Sequence, residues 1–545
     1  MRTDARRRVG GLVAALLVGA AGGVLGGCFR HPSLDQPPAA RIRDTKLPVP
    51  ARAQAVDDLW AEALASAPDR VAAREIVKRE VWHTANPQPA RIRGIEILLA
   101  DEQDGGSADT RRMLWLMLPI EPDDVVAARV ATIAAERAWA EFDGPIARVL
   151  ARHRPAVADT DRAEHKALAA LFPDQPVTRT LFRIFSTPTP EGLDPQEHRR
   201  QEQARSAAWE ALARLDPDGA ARLEYLRADA PAGNDPLVRD VRTAATELGT
   251  IPLTVSELDW LRQLRSFDGP IAAGPSAAQR RDWWQAVTAP LARLSPEQRA
   301  GLRLRDMEAV RWAAQQRPSW LGMSRQELLA EAQTRLRGRQ THVRTGGEAS
   351  VASRAPDRLE SFAGQMSWGD ALGLLAVDEA LHAPGVADAL WAQALRDAKD
   401  TSTEYGGVVE AADLTDRPAD RASAATAAAT PAADGFAVTL FEPRPASRQG
   451  DRVFVAPSDM FALAPHALAH YHFHAQKLVN RDFAGPGEGD TQYARTHGRH
   501  NVVLTPVGPG VMNADYYTWG GRGVIRIDLG EVVSAAGAAA RAGPR

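Results

Sequence analysis

Cysteine is nearly absent from this chain, with Cys28 the only thiol in 545 residues. No disulfide can form within it, so stability has to come from packed cores, with a bound metal as the other means. An excess of one charge is missing too: 66 Lys and Arg stand against 69 Asp and Glu. That balance gives no global attraction to a polyanion, and nucleic acid is not an expected partner. The phosphate loop G-x-x-x-x-G-K-[ST], the zinc helix H-E-x-x-H and the nucleophile elbow G-x-S-x-G do not occur. What remains is a chain with 44% hydrophobic residues, ample for globular cores and long enough for more than one domain.

One apolar run stands out. Arg2, Arg6, Arg7 and Arg8 precede it, Val9 to Gly27 is rich in Gly and Ala, and Leu25-Gly26-Gly27-Cys28 closes it. A membrane-spanning anchor is disfavoured by the density of glycine, which weakens a helix. The segment resembles a bacterial lipoprotein signal with its lipobox. That resemblance implies removal of residues 1–27 and lipidation of Cys28, which then serves as neither disulfide partner nor nucleophile. Several acyl chains on one residue hold a membrane durably. The expected location is therefore the cell envelope, facing the periplasm or the surface. Phe29, rather than Asp, after the cysteine points to the outer membrane. Residues 28–55, with Pro32, Pro37, Pro38, Pro48 and Pro50, read as a tether.

Residues 56–340 carry a helical pattern almost throughout. Asp161 with Glu164, Asp194-Pro195 with Glu197, Thr254 with Glu257, Ser295-Pro296 with Gln298, and Ser324 with Glu327 have the spacing of capping boxes. Apolar residues then recur at three and four positions, as in Ala208, Trp209, Leu212 and Leu215. Short helices with brief polar connections predict an all-α array. The stretch Arg91 to Arg152 loosely resembles HEAT-type repeats, and an irregular bundle fits the pattern nearly as well. Trp60, Trp82, Trp115, Trp139, Trp209, Trp260, Trp283 and Trp284 are expected to fill this core rather than form a stacking surface. The outside of the array is a candidate surface for a protein partner.

A polar stretch at 341–358 reads as a linker. Residues 359–535 change texture, with a tail at 536–545. Strands are expected at Leu372–Val377, Tyr405–Val409, Phe436–Phe441, Arg452–Val455, Ala467–Tyr471, Asn501–Thr505 and Val524–Leu529. Helices are expected over Gly385–Lys399 and from about Asp490 to Thr496, the latter ending near Gly498. This mixture indicates an α+β or α/β domain.

His470-Tyr471-His472-Phe473-His474 concentrates the chemistry. Alternate residues of a strand share a face, so the three imidazoles point one way, and two of them can reach one zinc ion. Asp490, at a helix start beyond Gly485-Pro486-Gly487-Glu488-Gly489, is placed to add a third ligand. Upstream, Glu404 stands at the entry to the glycine-bearing strand Tyr405-Gly406-Gly407-Val408-Val409. Each has a plainer use: Asp490 as a helix cap, Glu404 as a solvated acid, the histidines as structural groups.

Helix, E-x-G-G strand, H-x-H, aspartate-headed helix and strand, in this order, resemble the JAMM (JAB/MPN-type) zinc metallopeptidases over roughly Leu372 to Leu529. The resemblance implies an α/β, cytidine-deaminase-like domain holding Zn2+ through His472, His474 and Asp490. It implies Glu404 as the general base and a peptide or isopeptide amide as substrate. His470 falls one step early and reads as a supporting residue. The sequence departs from the motif at three points. Five extra residues lie around Val479 to Phe483, Ala475 replaces a proline, and Gly487 replaces a serine that helps stabilise the oxyanion. Loss of such a donor typically costs about a hundredfold to a thousandfold in rate. An inactive JAMM-like domain in an envelope scaffold is the alternative.

Overall fold

The structure, a computed structural model, describes residues 35–228, 235–265, 276–346, 357–411, 427–431, 435–521 and 523–542. The signal-like segment and Cys28 lie outside the described residues. Among the described residues, no helix is long and apolar enough to cross a membrane. A helical region comes first and a mixed seven-stranded sheet follows near the end. The chain divides into two compact units, one ending at Ala127 and the other beginning at Ala128.

In the first unit, the stretch expected as a tether is helical from Pro38 onward. Helices Pro38–Arg43 and Val49–Ser66 bury Ile42, Ala55, Val56 and Leu59. Pro38 opens the first of these, while Pro48 caps the second. A first-turn amide has no partner within the helix, so proline sacrifices nothing there. The linker-like composition was thus a pair of helix starts. Arg91 and Glu121 form a buried ion pair, each about 1% exposed, that ties helix Gln88–Ala100 to the chain after it.

In the second unit, Ser295 and Ser324 make full capping boxes with Gln298 and Glu327, and Asp194 accepts from the amides of Gln196 and Glu197. Thr254 accepts from Glu257 N, but Glu257 turns to the Leu253 amide instead of reaching back to the cap. Asp161 caps nothing: the helix begins at Ala163, and Glu164 pairs with Arg162 and Arg154. Trp139, Trp209, Trp260, Trp283 and Trp284 are buried, as core filling requires. Trp82, in the first unit, is exposed.

The strands are β1 (Gly406–Ala411), β2 (Ala427–Pro431), β3 (Phe436–Phe441), β4 (Ala469–Phe473), β5 (Asn501–Gly508), β6 (Val511–Trp519) and β7 (Val524–Val533), in the spatial order β2-β3-β1-β4-β5-β6-β7. Only β4 and β5 pair in parallel. Their connection contains helix Glu488–His497, as a parallel crossover demands. Residue alternation along β4 separates its two faces. Tyr471 reaches Gln393 of helix Pro384–Asp397, whereas His470 and His472 meet residues of helix Glu488–His497.

Leu372–Val377, expected as a strand, lies inside helix Trp368–Leu381, which Ser367 and Asp370 open with a capping box. The helix is buried on nearly all sides, so its apolar residues show no periodicity. Arg452–Val455 is irregular and packs at the cleft described below. Strands β2 and β6 were not expected. In β6 the fully buried Asn513 and Asp515 break the apolar alternation and bond to each other.

Candidate metal centre

The carboxyl end of β4 and the start of β1 lie side by side. In their antiparallel register Gly406 faces His472, and Phe473 N donates to Tyr405 O at 3.0 Å. Continuing the pairing brings Glu404 opposite His474. The glycine pair makes this approach possible. A Cβ at Gly406 would stand 2.5 Å from the Tyr471 carbonyl and 2.6 Å from the Phe454 ring, and one at Gly407 would stand 2.0 Å from the Thr439 carbonyl. Phe454, let in by the bare Gly406, stacks on His472 with the rings 3° from parallel.

Glu404, His472 and His474 are all buried, and each offers a ligand atom within 4.8 Å of the others'. Asp490 completes the group. Its carboxylate oxygens lie 3.0 Å from His472 Nε2 and 3.5 Å from His474 Nε2. Asp490 is the third residue of its helix, and Gly487 N donates to its Oδ2 at 2.6 Å. It therefore serves the helix terminus and faces the histidines together. Burial alone would raise its carboxyl, but His472 and His474 hold it well below the usual carboxylate range. Burial pushes the Glu404 carboxyl up to about 7, with Asp490 adding and His474 and Gln476 opposing. A carboxyl there changes protonation state near neutrality, as a proton-transferring group needs.

Supporting bonds fix the orientations. His474 Nδ1 meets the Phe483 carbonyl at 2.9 Å, so Nδ1 carries a proton and Nε2 is the nitrogen turned toward Asp490. Glu404 Oε1 accepts from Gln476 Nε2 at 2.8 Å, and Asn480 holds both Gln476 and the His474 carbonyl. His472 Nε2 is buried without an aligned hydrogen bond. Two imidazole Nε2 atoms turned toward one carboxylate, one of them without an aligned hydrogen bond, suit a cation held among them. The donor set of two imidazoles and carboxylates is one that zinc accepts.

His470 shares the strand face and borders the cleft but is not in the ligand group. Its Nδ1 meets Tyr493 Oη at 2.9 Å, and burial keeps its ring neutral by lowering its pKa well below the ordinary value. Gly487 also borders the cleft, which has a volume of ≈ 400 Å³. The extra residues around Val479 to Phe483 are part of the site, because Phe483 supplies the carbonyl that orients His474. Sequence reasoning missed Arg344, Phe454 and Tyr517, which line the cleft. Phe454 carries no signal in the sequence, since its match to Gly406 and His472 exists only in space. Arg344 has none either, since the polar, glycine-bearing stretch around it reads as a linker.

No family model matches the chain, and neither does a curated protein or a solved structure.

Proposed function

We infer that this protein is a zinc-dependent hydrolase of JAMM type that cleaves a peptide or isopeptide amide. The observation that carries the reading is the convergence of Glu404, His472, His474 and Asp490 on one cleft from three separate stretches of chain. His472, His474 and Asp490 would hold the metal. Zinc bound there would acidify a water and polarise the scissile carbonyl. Glu404 takes a proton from the attacking water and gives it to the leaving nitrogen. The water oxygen bonds to the carbonyl carbon, the C–N bond breaks, and an acid and an amine leave. The order helix, glycine-paired strand, histidine strand and crossover helix supports the cytidine-deaminase-like reading of residues 359–535. The N-terminal sequence supports an envelope lipoprotein anchored through Cys28.

Purified protein is expected to carry about one zinc per chain by mass spectrometry. His474→Ala should lose it, and Glu404→Gln should keep it while abolishing cleavage of any peptide the wild type cuts. A metal-free wild type ends this reading. Gly487, lacking a hydroxyl, favours a second one, a metal-holding but inactive domain in an envelope scaffold; zinc without turnover across a broad peptide library would establish it.

A further inference from the structure

Residues 339–346 do not run free as a linker. Gln340 O accepts from Glu531 N, His342 N donates to Asp528 and its ring meets Glu531, and Arg339 pairs with Asp378. The segment thus covers the otherwise open edge of β7. At its far end, Thr345 N and Gly346 N both donate to the Asp482 carbonyl, and Thr345 Oγ1 bonds to the Asp482 carboxylate. The strap is therefore pinned at both ends, and the extra residues after β4 provide the second pin.

Arg344 lies between the pins. Its Nη1 donates to Gly485 O at 3.1 Å, and its guanidinium lies over the Phe483 ring. It borders the cleft and has no carboxylate partner among the described residues. Its Nε is buried without an acceptor. The decisive geometry is at Gly487. A Cβ there would stand 3.4 Å from Arg344 Nη1, 3.5 Å from Asp490 Oδ2 and 3.7 Å from Arg344 Nη2. The guanidinium thus borders the place a side chain at 487 would take, beside the Asp490 carboxylate. A permanently charged fork with unused donors at such a point is built to receive negatively charged oxygen.

We propose that Arg344 is the anion donor of this cleft, replacing the hydroxyl that residue 487 lacks and binding the oxyanion that forms on the scissile carbonyl. The assignment rests on the hydrolase reading of the same site. It fits Gly487, where no side chain stands beside the guanidinium and the Asp490 carboxylate.

Inorganic phosphate, a stable tetrahedral oxyanion, serves as the probe, titrated calorimetrically into the full chain after its zinc content is measured. Arg344→Ala should keep the zinc and weaken phosphate binding roughly tenfold to a hundredfold, as for a lost hydrogen bond from a charged donor. Arg344→Lys should fall between. Adding Gly487→Ser to Arg344→Ala should restore part of the affinity, which a merely structural role for Arg344 does not predict. Arg452 also borders the cleft and lies over Phe483. Arg452→Ala removes the same charge without touching residue 487, so its effect should be smaller. Equal losses from the two alanine variants, or phosphate binding that ignores Arg344, overturns the proposal. So does a zinc-loaded wild type that binds no phosphate. A wild type without zinc defeats the hydrolase reading instead. The same titration on that protein then decides whether an Arg344-dependent anion site stands without it, and binding that does not need Arg344 overturns the proposal there too.

Discussion

Gly407→Ala is the sharpest probe of how the sheet delivers Glu404 to the histidines. Strand β1 lies between β3 and β4, so it has no free side toward which to retreat. The added Cβ would stand 2.0 Å from the Thr439 carbonyl on β3 and 2.7 Å from Tyr471 Oη on β4. One obstacle is backbone, and the other is a fully buried ring already bonded to Gln393. Neither can swing aside, so the cost belongs at the upper end of overpacking penalties, about 3 kcal/mol. Replacing glycine also restricts the unfolded chain, which returns about 0.4–1 kcal/mol. Strain wins, and the net loss is about 2 kcal/mol. Gly489→Ala is the matched control, since a Cβ there meets nothing within 4 Å and the residue lies in a helix. It should be neutral or slightly stabilising. Urea unfolding followed by tryptophan fluorescence should rank Gly407→Ala below wild type and Gly489→Ala at or above it. A Gly407→Ala protein as resistant as wild type would show that β1 is not held as close to its neighbours as described.

Two further predictions concern buried charge. Burial first, opposed by the Tyr405 amide, pushes the Asp397 carboxyl up to about 8 from an ordinary 3.8. The folded chain keeps this proton while the unfolded chain releases it, so stability should fall as pH rises between about 4 and 8, by up to about 1.4 kcal/mol per pH unit. Asp397→Asn should flatten that slope in chemical denaturation across the range and match wild type below it. Arg305 and Asp370 form a buried ion pair at 2.5 Å. Arg305→Met strands the carboxylate and should cost about 3–5 kcal/mol by the same assay, whereas Arg305→Met with Asp370→Leu should cost less.

The chemistry was legible where one strand or one helix start decides it. Alternation alone aligns His470, His472 and His474, and the bare pair Gly406-Gly407 marks a strand that must approach its neighbour closely. Ser295 and Ser324 announce their helices because a cap acts within four residues. Legibility stops where burial or long-range pairing decides. Helix Trp368–Leu381 is apolar on nearly every side, so its period disappears. Asn513 and Asp515 disguise β6 because their partner is each other, inside the sheet. Arg162 claims Glu164 from the expected box at Asp161. Arg344 becomes visible only when β7 and the turn at Arg481–Phe483 hold the strap that carries it.

The helices that precede the sheet also bear on where the Asp490 carboxylate stands. Asp490 sits in the first turn of helix Glu488–His497, so any slide or rotation of that helix moves its carboxylate away from His472 and His474. Helix Val255–Arg265 grips the other end. Ser256 Oγ lies 2.7 Å from His497 Nδ1, and Trp260 donates to the Pro465 carbonyl while its ring carries the Arg499 guanidinium at 3.2 Å. Between them Gly498 turns with φ +59 so close to Glu257 that a Cβ would stand 1.9 Å from its carboxylate. Glycine is required there twice over, for the left-handed turn that ends the helix and for the approach of the bracing acid. Asp306 Oδ1 also lies 3.2 Å from His500 Nε2, beside the start of β5. With Gly487 tied to Asp490 at the near end, the crossover helix is fixed at both termini. The position of the Asp490 carboxylate against the histidines therefore depends on helix Val255–Arg265, more than two hundred residues upstream, and that helix is part of the site's construction rather than a spacer beneath it.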